Sequence, residues 1–257
     1  MNINGKVVVI TGGASGLGEA AGRYLVDRGA RFGIIDVNAD RGNAIVAELG
    51  EDKAFFAQAD VTDISQVDSA IEAIVAKFGR IDIDVNAAGV PGVVKVLDRE
   101  GKASGRETYS KIIDLNLKGV FNVASRAAEE MAKNDPDENW ERGVIVNVSS
   151  GAAEAGQIGQ VAYSSSKAGV NGLNMPAARE LVRHGIRIGS IMPGLFKTPL
   201  VAQQPEEFIA GLAAQVESPK RLGDPTEFAH AVTFIIENGY YNGRTMQLDA
   251  ATILRAR

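Results

Sequence analysis

Residues 6–18 read KVVVITGGASGLG, a short β-branched run followed at once by a glycine-rich turn. The run has the composition of a buried strand. A glycine-rich turn between a strand and a helix presents backbone N–H groups to a phosphate. The spacing, Gly12-x3-Gly16-x-Gly18, differs from the common GxGxxG fingerprint. Glycines also serve ordinary turns, but the position of this run favours a nucleotide site formed by Gly12, Ser15, Gly16, Leu17 and Gly18.

Outward from this stretch, short β-branched runs alternate with longer amphipathic segments. We predict helices at 17–29, 63–79 and 160–183, and strands at 6–11, 31–36, 53–58, 81–86, 143–149, 186–191 and 244–249. Such alternation predicts βαβ units with right-handed crossovers. The predicted fold class is therefore α/β, a Rossmann doubly wound parallel sheet of about seven strands with helices on both faces. A chain of 257 residues fits one such domain, spanning 1–257.

Three segments interrupt this alternation. Residues 90–107 form a polar, glycine-containing connection, and 194–223 form a long connection with three prolines. Long connections in a compact domain are often functional, so we predict a substrate lid at about 194–223. The third segment, 134–142 (NDPDENWER), is typical of a solvated surface insertion.

The composition excludes several classes of function. The chain has 27 Lys and Arg against 32 Asp and Glu, and a net charge of −5 argues against a nucleic-acid partner. It has no cysteine, and its two histidines, His184 and His230, form no ligand-spaced cluster, so we predict no metal site. The longest apolar runs are far shorter than the ~20 residues of a membrane span. We see no signal peptide and expect a cytoplasmic protein without membrane association.

Polar residues follow the predicted strands, where ligands bind in open α/β sheets. Asp36 ends the second strand, where a carboxylate can accept hydrogen bonds from an adenosine ribose and repels a 2′-phosphate. Basic residues are absent from 13–15 and from Val37, which favours NAD over NADP. Asp36 could also cap the next helix, and Arg41 is the nearest basic residue that could reach back.

The next two strand ends add to the cofactor prediction. The third strand ends near Asp60 and Val61, a carboxylate and an apolar side chain suited to an adenine ring. The fourth ends at the segment NAAG, from which we assign Asn86, Ala88 and Gly89 to the cofactor site. Each of these residues alone is also common at an ordinary strand end.

The fifth strand ends near Ser150, and Tyr163 and Lys167 follow four residues apart. On a helix, these two side chains lie on one face. A free tyrosine, with a pKa of about 10, is a poor base at neutral pH. A nearby ammonium lowers that pKa, which suits a general acid or base at an alcohol or carbonyl. Ser150 could hold the substrate oxygen beside the tyrosine. The YxxxK pattern alone also occurs on ordinary exposed helices, but the upstream phosphate loop and Ser150 favour catalysis.

The order of these motifs resembles the classical short-chain dehydrogenase/reductase family over about residues 5–250. TGGASGLG, NAAG, YSSSK and PGLFKT all stand in the family's order. The resemblance implies a tetrad of Asn116, Ser150, Tyr163 and Lys167. It implies that Asn116 holds a water in a proton relay, that Lys167 binds the nicotinamide ribose and that Pro193 and Thr198 lie at the nicotinamide. The chain departs from the family pattern at Ala87 and at Asp249-Ala250-Ala251.

Longer stretches, including RGVIVNVSSGAAEAGQIGQVAYSSSKAGVNGL, resemble the type II 3-hydroxyacyl-CoA dehydrogenase branch, also called 17β-hydroxysteroid dehydrogenase-like. This resemblance implies NAD-linked oxidation of a 3-hydroxyacyl-CoA and a homotetramer packed through helices near 107–132 and 160–183. Lys95, Lys102 and Arg106 could attract CoA phosphates or belong to a solvated loop. The alternatives are a steroid, sugar alcohol or other small hydroxy compound as substrate, or a non-catalytic cofactor sensor. A sensor would not need the tetrad.

Overall fold

Seven parallel strands form a single sheet in the order β3-β2-β1-β4-β5-β6-β7. The computed structural model describes residues 1–254 and 256, without the Leu200 side chain. The strands are β1 (Val7–Thr11), β2 (Arg31–Asp36), β3 (Ala54–Gln58), β4 (Ile83–Asn86), β5 (Gly143–Val148), β6 (Ile186–Pro193) and β7 (Thr245–Leu248). The strand order reverses between β1 and β4, which is where such sheets open a ligand crevice.

Nine α-helices connect or flank these strands within the described residues. They are α1 (Gly16–Asp27), α2 (Ala39–Leu49), α3 (Ile64–Phe78), α4 (Arg106–Ile113), α5 (Gly119–Met131), α6 (Val161–Leu181), α7 (Pro199–Ala202), α8 (Glu206–Ala213) and α9 (Pro225–Glu237). A π-helical turn, Asp114–Lys118, joins α4 to α5, and short 3-10 turns lie at Gly151–Ala153 and Val182–His184.

Capping side chains and a glycine fix where two of the helices begin or end. The Asp63 carboxylate accepts hydrogen bonds from the backbone N–H groups of Ser65 and Gln66, which caps α3. Gly79 ends the same helix in the left-handed conformation, with φ of 85°. Asp224 and Glu227 form a reciprocal capping box at the start of α9.

Two hydrophobic layers cover the sheet, because alternate residues of each strand face opposite sides. Val8 and Ile10 of β1 pack with α1 and α9 on one face. Val7 and Val9 pack with α3 and α5 on the other face. This confirms the predicted doubly wound α/β sheet of seven strands in one domain.

Some predicted boundaries and one predicted segment need correction. The fourth strand begins at Ile83 rather than at 81, because the Asp82 carboxylate accepts from the Val7 backbone N–H before the ladder starts. The segment 194–223 is not a continuous irregular connection, since it contains α7 and α8. Pro199 starts α7 and Pro205 caps α8, so these prolines begin helices instead of preventing them. Within the described residues, no helix is long and apolar enough to cross a membrane.

Candidate active site

A cleft of about 680 Å³ opens at the carboxyl ends of the strands. This volume is typical of a cofactor or small-molecule site. The glycine-rich turn lines one part of the cleft, and Ser150, Tyr163 and Lys167 line another. Of the residues predicted for the cofactor or for catalysis, all line the cleft except Asn86 and Asn116.

The glycine-rich turn requires its glycines for two different reasons. Gly12 and Gly16 have φ of 64° and 58°, in the left-handed region that favours glycine. A Cβ on Gly18 would lie 2.4 Å from the Gly12 carbonyl oxygen, so only glycine lets the turn pack on α1. A Cβ on Gly16 would meet only Thr198, at 3.9 Å, because this residue faces the open cleft.

The N-terminus of α1 points into this turn. Its N-cap, Ser15, makes no side-chain capping bond, so its hydroxyl is not used by the helix. Free N–H groups, a helix dipole and a surface without side chains together fit a pyrophosphate. The residues present therefore fit a dinucleotide.

Asp36 is held at the end of β2 by two backbone N–H groups. Its Oδ2 accepts from Ala14 at 3.1 Å and its Oδ1 from Asn38 at 3.0 Å. The helix that follows is capped by Asn38, not by Asp36. Asp36 thus fixes the glycine-rich turn to β2 while its carboxylate lines the cleft.

Arg41 forms ion pairs with carboxylates of α1 and α2. Its guanidinium lies 2.5 Å from Glu19 and 3.5 Å from Glu48, and Arg23 joins the same cluster. The basic residue closest in sequence to the adenosine position is therefore engaged by two carboxylates.

Asp60 and Val61 also line the cleft. The Asp60 Oδ1 accepts from the Thr62 backbone and hydroxyl, at 2.9 and 2.8 Å. The Val61 carbonyl accepts from the Asn122 amide at 2.9 Å, which ties this strand end to α5.

The structure corrects the prediction for Asn86. Its side chain is buried inside the sheet, where Nδ2 donates to Asp84 at 2.6 Å and to Asn147 at 3.1 Å. Asn86 is two residues after Asp84, so both side chains lie on the same face of β4, and Asn86 does not line the cleft. Ala88 and Gly89, which follow it, do line the cleft.

Asn116 lies in the π-helical turn between α4 and α5, and its side chain is fully buried. Its Oδ1 accepts from the Val90 N–H and its Nδ2 donates to the Val90 carbonyl, both at 2.9 Å. Nδ2 also lies 3.2 Å from the Ser166 hydroxyl. The Asn116 amide therefore holds the loop after β4 against α6. Both Nδ2 hydrogens are used, so a water bound to this side chain would have to donate to the second lone pair of Oδ1.

Ser150 and Tyr163 both line the cleft, and the Ser150 hydroxyl lies close enough to the Tyr163 phenol to affect its pKa. Ser150 leaves β5 as the N-cap of a 3-10 turn, and Tyr163 stands in the first turn of α6. Burial raises the pKa of Tyr163 above its ordinary value, and the Ser150 hydroxyl opposes that shift. In the protein without its cofactor, burial therefore places the pKa of Tyr163 above its ordinary value and not below it, as the nearby ammonium had predicted.

Lys167 lies one turn after Tyr163 and is 4% exposed. Its Nζ donates to the Val148 carbonyl at 2.8 Å and lies 5.9 Å from the centre of the Tyr163 ring. Burial lowers the pKa of Lys167 to about 8. A Cβ on Gly89 would lie 3.3 Å from this Nζ, so the small residue leaves the ammonium accessible at the cleft.

Two residues at the site were not predicted from the sequence. The Thr11 hydroxyl, at the end of β1, accepts from the Ala88 N–H at 3.2 Å and fixes the loop after β4. Thr252 lines the cleft from the segment after β7. Only the register of the sheet reveals the first contact, and no motif marks the second. The described residues contain no group of three or more metal-ligating side chains.

Comparisons with known proteins agree with this geometry. The sequence model of the family described as short chain dehydrogenase matches residues 6–208. The 3-hydroxyacyl-CoA dehydrogenase type-2 of Homo sapiens is 45% identical over 251 residues, covering 97% of this chain and 96% of the relative. The protein of the same name from Drosophila melanogaster is 44% identical over 250 residues, covering 97% and 98%.

A solved structure is similar over the full length. The crystal structure of 3-hydroxyacyl-CoA dehydrogenase type-2 from Mycobacterium avium has a TM-score of 0.94 and 41% identity, covering 100% of both chains. The matches to the family and to these relatives confirm the resemblance inferred from the motifs. The chain belongs to the short-chain dehydrogenase family and is a nicotinamide-dependent oxidoreductase.

Proposed function

We propose that this enzyme interconverts 3-hydroxyacyl-CoA and 3-ketoacyl-CoA with NAD(H) as its cofactor. The observation that carries the proposal is that Ser150, Tyr163 and the buried Lys167 line the same cleft as the glycine-rich turn. The identity of 45% to a relative named 3-hydroxyacyl-CoA dehydrogenase type-2 supports this choice of substrate.

The preference for NAD rests on Asp36 and Arg41. The Asp36 carboxylate lines the cleft at the end of β2, where it would accept the ribose hydroxyls and repel a 2′-phosphate. Arg41 pairs with Glu19 and Glu48, so binding a 2′-phosphate would require breaking those ion pairs. Further along the cleft, Gly12 to Gly18 would hold the pyrophosphate, and Pro193 and Thr198 would flank the nicotinamide.

Proton transfer is assigned to Tyr163. When bound, the nicotinamide supplies hydride transfer to or from the substrate carbon. Because its raised pKa keeps Tyr163 protonated at neutral pH, this hydroxyl is suited to donating a proton to the oxygen of a ketone. In the oxidative direction, Tyr163 must first release its own proton, and its phenolate then accepts the proton of the alcohol. Ser150 holds the same oxygen by a hydrogen bond and orients it toward Tyr163.

Lys167 and Asn116 support this pair. The Lys167 ammonium would bind the nicotinamide ribose and favour the ionised tyrosine during oxidation. Its anchor on the Val148 carbonyl links it to β5, the strand that ends at Ser150. Asn116 keeps the loop after β4 in place through Val90 and acts by positioning.

We further propose a homotetramer in the cytoplasm. Phe121 of α5 is 58% exposed and Val161 of α6 is 40% exposed, both on the helices that the family resemblance assigns to subunit contacts. Contact with another subunit would remove these two apolar side chains from water. A small hydroxy compound other than an acyl-CoA remains the alternative substrate.

Steady-state oxidation of NADH with acetoacetyl-CoA tests this function, with NADPH and an unrelated ketone measured in parallel. We expect rapid turnover with NADH and acetoacetyl-CoA and little with NADPH. Binding of NADH without turnover of acetoacetyl-CoA would reject the acyl-CoA substrate. Equal turnover with NADPH would reject the role given to Asp36.

A further inference from the structure

The segment 249–254, which follows β7, runs along the cleft, where Thr252 is among the lining residues. At one end, the Gly194 N–H donates to the Leu248 carbonyl at 2.9 Å, which fixes the start of the segment beside the end of β6. Beyond the other end, the Ile158 N–H donates to the Ala256 carbonyl at 3.0 Å. Ile158 lies in the loop that separates Ser150 from Tyr163. The segment therefore runs along the substrate side of the cleft, not along the glycine-rich turn.

A strained turn starts this segment. Ala250 and Ala251 have φ of 53° and 56°, a left-handed conformation that is uncommon for alanine. The Asp249 carboxylate accepts from the Ala251 N–H at 3.1 Å, and the Asp249 carbonyl accepts from the Thr252 N–H at 3.0 Å. Such strain persists only where the surroundings fix it, and it is common at functional sites. This turn positions Thr252 at the cleft.

The Thr252 hydroxyl is a buried group without a partner. Thr252 is 9% exposed and lines the cleft, yet its Oγ1 has no hydrogen-bond partner among the described residues. Buried hydroxyls are nearly always paired, so an unpaired one on a residue that lines a ligand cleft points to a bond made when the ligand binds. Ser150 and Lys167, by contrast, already have protein partners.

We propose that the Thr252 hydroxyl donates a hydrogen bond to the thioester carbonyl of the substrate, an inference that rests on the proposed function. A 3-ketoacyl-CoA has two carbonyl oxygens separated by one methylene group. Ser150 and Tyr163 bind the oxygen of the keto group that is reduced. The thioester oxygen then still needs a hydrogen-bond donor. A hydroxyl on the substrate side of the cleft can donate to it. Thr252 would then select β-dicarbonyl thioesters over simple ketones.

Thr252→Val tests this proposal, because it removes the hydroxyl and keeps the shape. Thr252→Ser, which keeps the hydroxyl, is the matched control. We expect kcat/KM for acetoacetyl-CoA to fall about tenfold in Thr252→Val, mainly through KM, and to stay within about threefold of wild type in Thr252→Ser. The Kd for NADH, measured by fluorescence, should not change. Thr252→Ala replaces the valine variant if that variant has a lower Tm than wild type.

The outcomes separate this inference from the function on which it rests. An unchanged kcat/KM in Thr252→Val, with an active wild-type enzyme, would overturn the role of Thr252 alone. A parallel loss of NADH affinity would assign the hydroxyl to the cofactor and also overturn it. An inactive wild-type enzyme with acetoacetyl-CoA would reject the proposed function and this inference together.

Discussion

At the scale of single residues, two buried carboxylates two positions apart differ in whether a cation is paired with them. Asp82 and Asp84 are both fully buried near the start of β4. Asp82 is paired with Lys6 at 3.2 Å and with Arg80 at 2.6 Å. Asp84 has only the Asn86 amide, and its Oδ1 has no partner among the described residues. Burial without a cation raises the pKa of Asp84 to about 7.

Asp84→Asn is expected to stabilise the protein at pH 8. The pKa of Asp84 is raised from 3.8 to about 7 on folding, so the native state binds more protons than the unfolded chain between these values. Stability therefore falls as the pH rises through this window and then levels off. The gain should be on the order of 2–4 kcal/mol at pH 8 and shrink toward pH 5. Urea unfolding at several pH values measures it.

Asp82→Asn is the matched control for this prediction. It breaks the ion pairs with Lys6 and Arg80, so it should lower stability at pH 8. A gain for Asp84→Asn that does not depend on pH would contradict the ionisation account, as would a loss.

At the scale of elements, the turn between β1 and α1 combines a structural and a binding requirement. Gly18 has no room for a side chain, whereas Gly16 has room but a positive φ and a position facing the cleft. Glycine at position 18 allows α1 to pack against the turn, and glycine at position 16 leaves space for a phosphate.

Gly16→Ala should therefore separate binding from folding. Its Cβ would project into the cleft, so the affinity for NADH should fall at least about tenfold, while the positive φ costs about 1 kcal/mol of stability. Gly211→Ala, on the exposed surface of α8 with no atom near its Cβ, is the control and should leave NADH binding unchanged. Fluorescence titration and thermal unfolding give the two quantities. Unchanged NADH affinity in Gly16→Ala would argue against the phosphate site.

The strands and helices differ in how well the sequence pattern predicts them. Short continuous runs of apolar residues locate the strands, because both faces of this sheet are buried. It does not reveal α7 and α8, which are short and begin at prolines. It also cannot decide which face of β4 Asn86 occupies, because that depends on register with Asn147 of β5.

At the scale of the whole molecule, the site is assembled from residues distant in sequence. Thr11, Ala88, Ser150 and Pro193 come together because parallel strands place all their carboxyl ends at one edge. Motif order predicts this meeting without a structure. The role of Thr252 is not predictable in this way, since it depends on how residues 249–254 run along the finished cleft.

Turnover and cofactor binding by Tyr163→Phe test the central claim most directly. The variant lacks only the hydroxyl that is assigned the proton, so NADH should bind as in wild type. Oxidation of NADH with acetoacetyl-CoA should fall by about 10²–10⁴-fold. Tyr109→Phe, on the exposed face of α4, should keep wild-type activity. Near-wild-type turnover by Tyr163→Phe would contradict the mechanism.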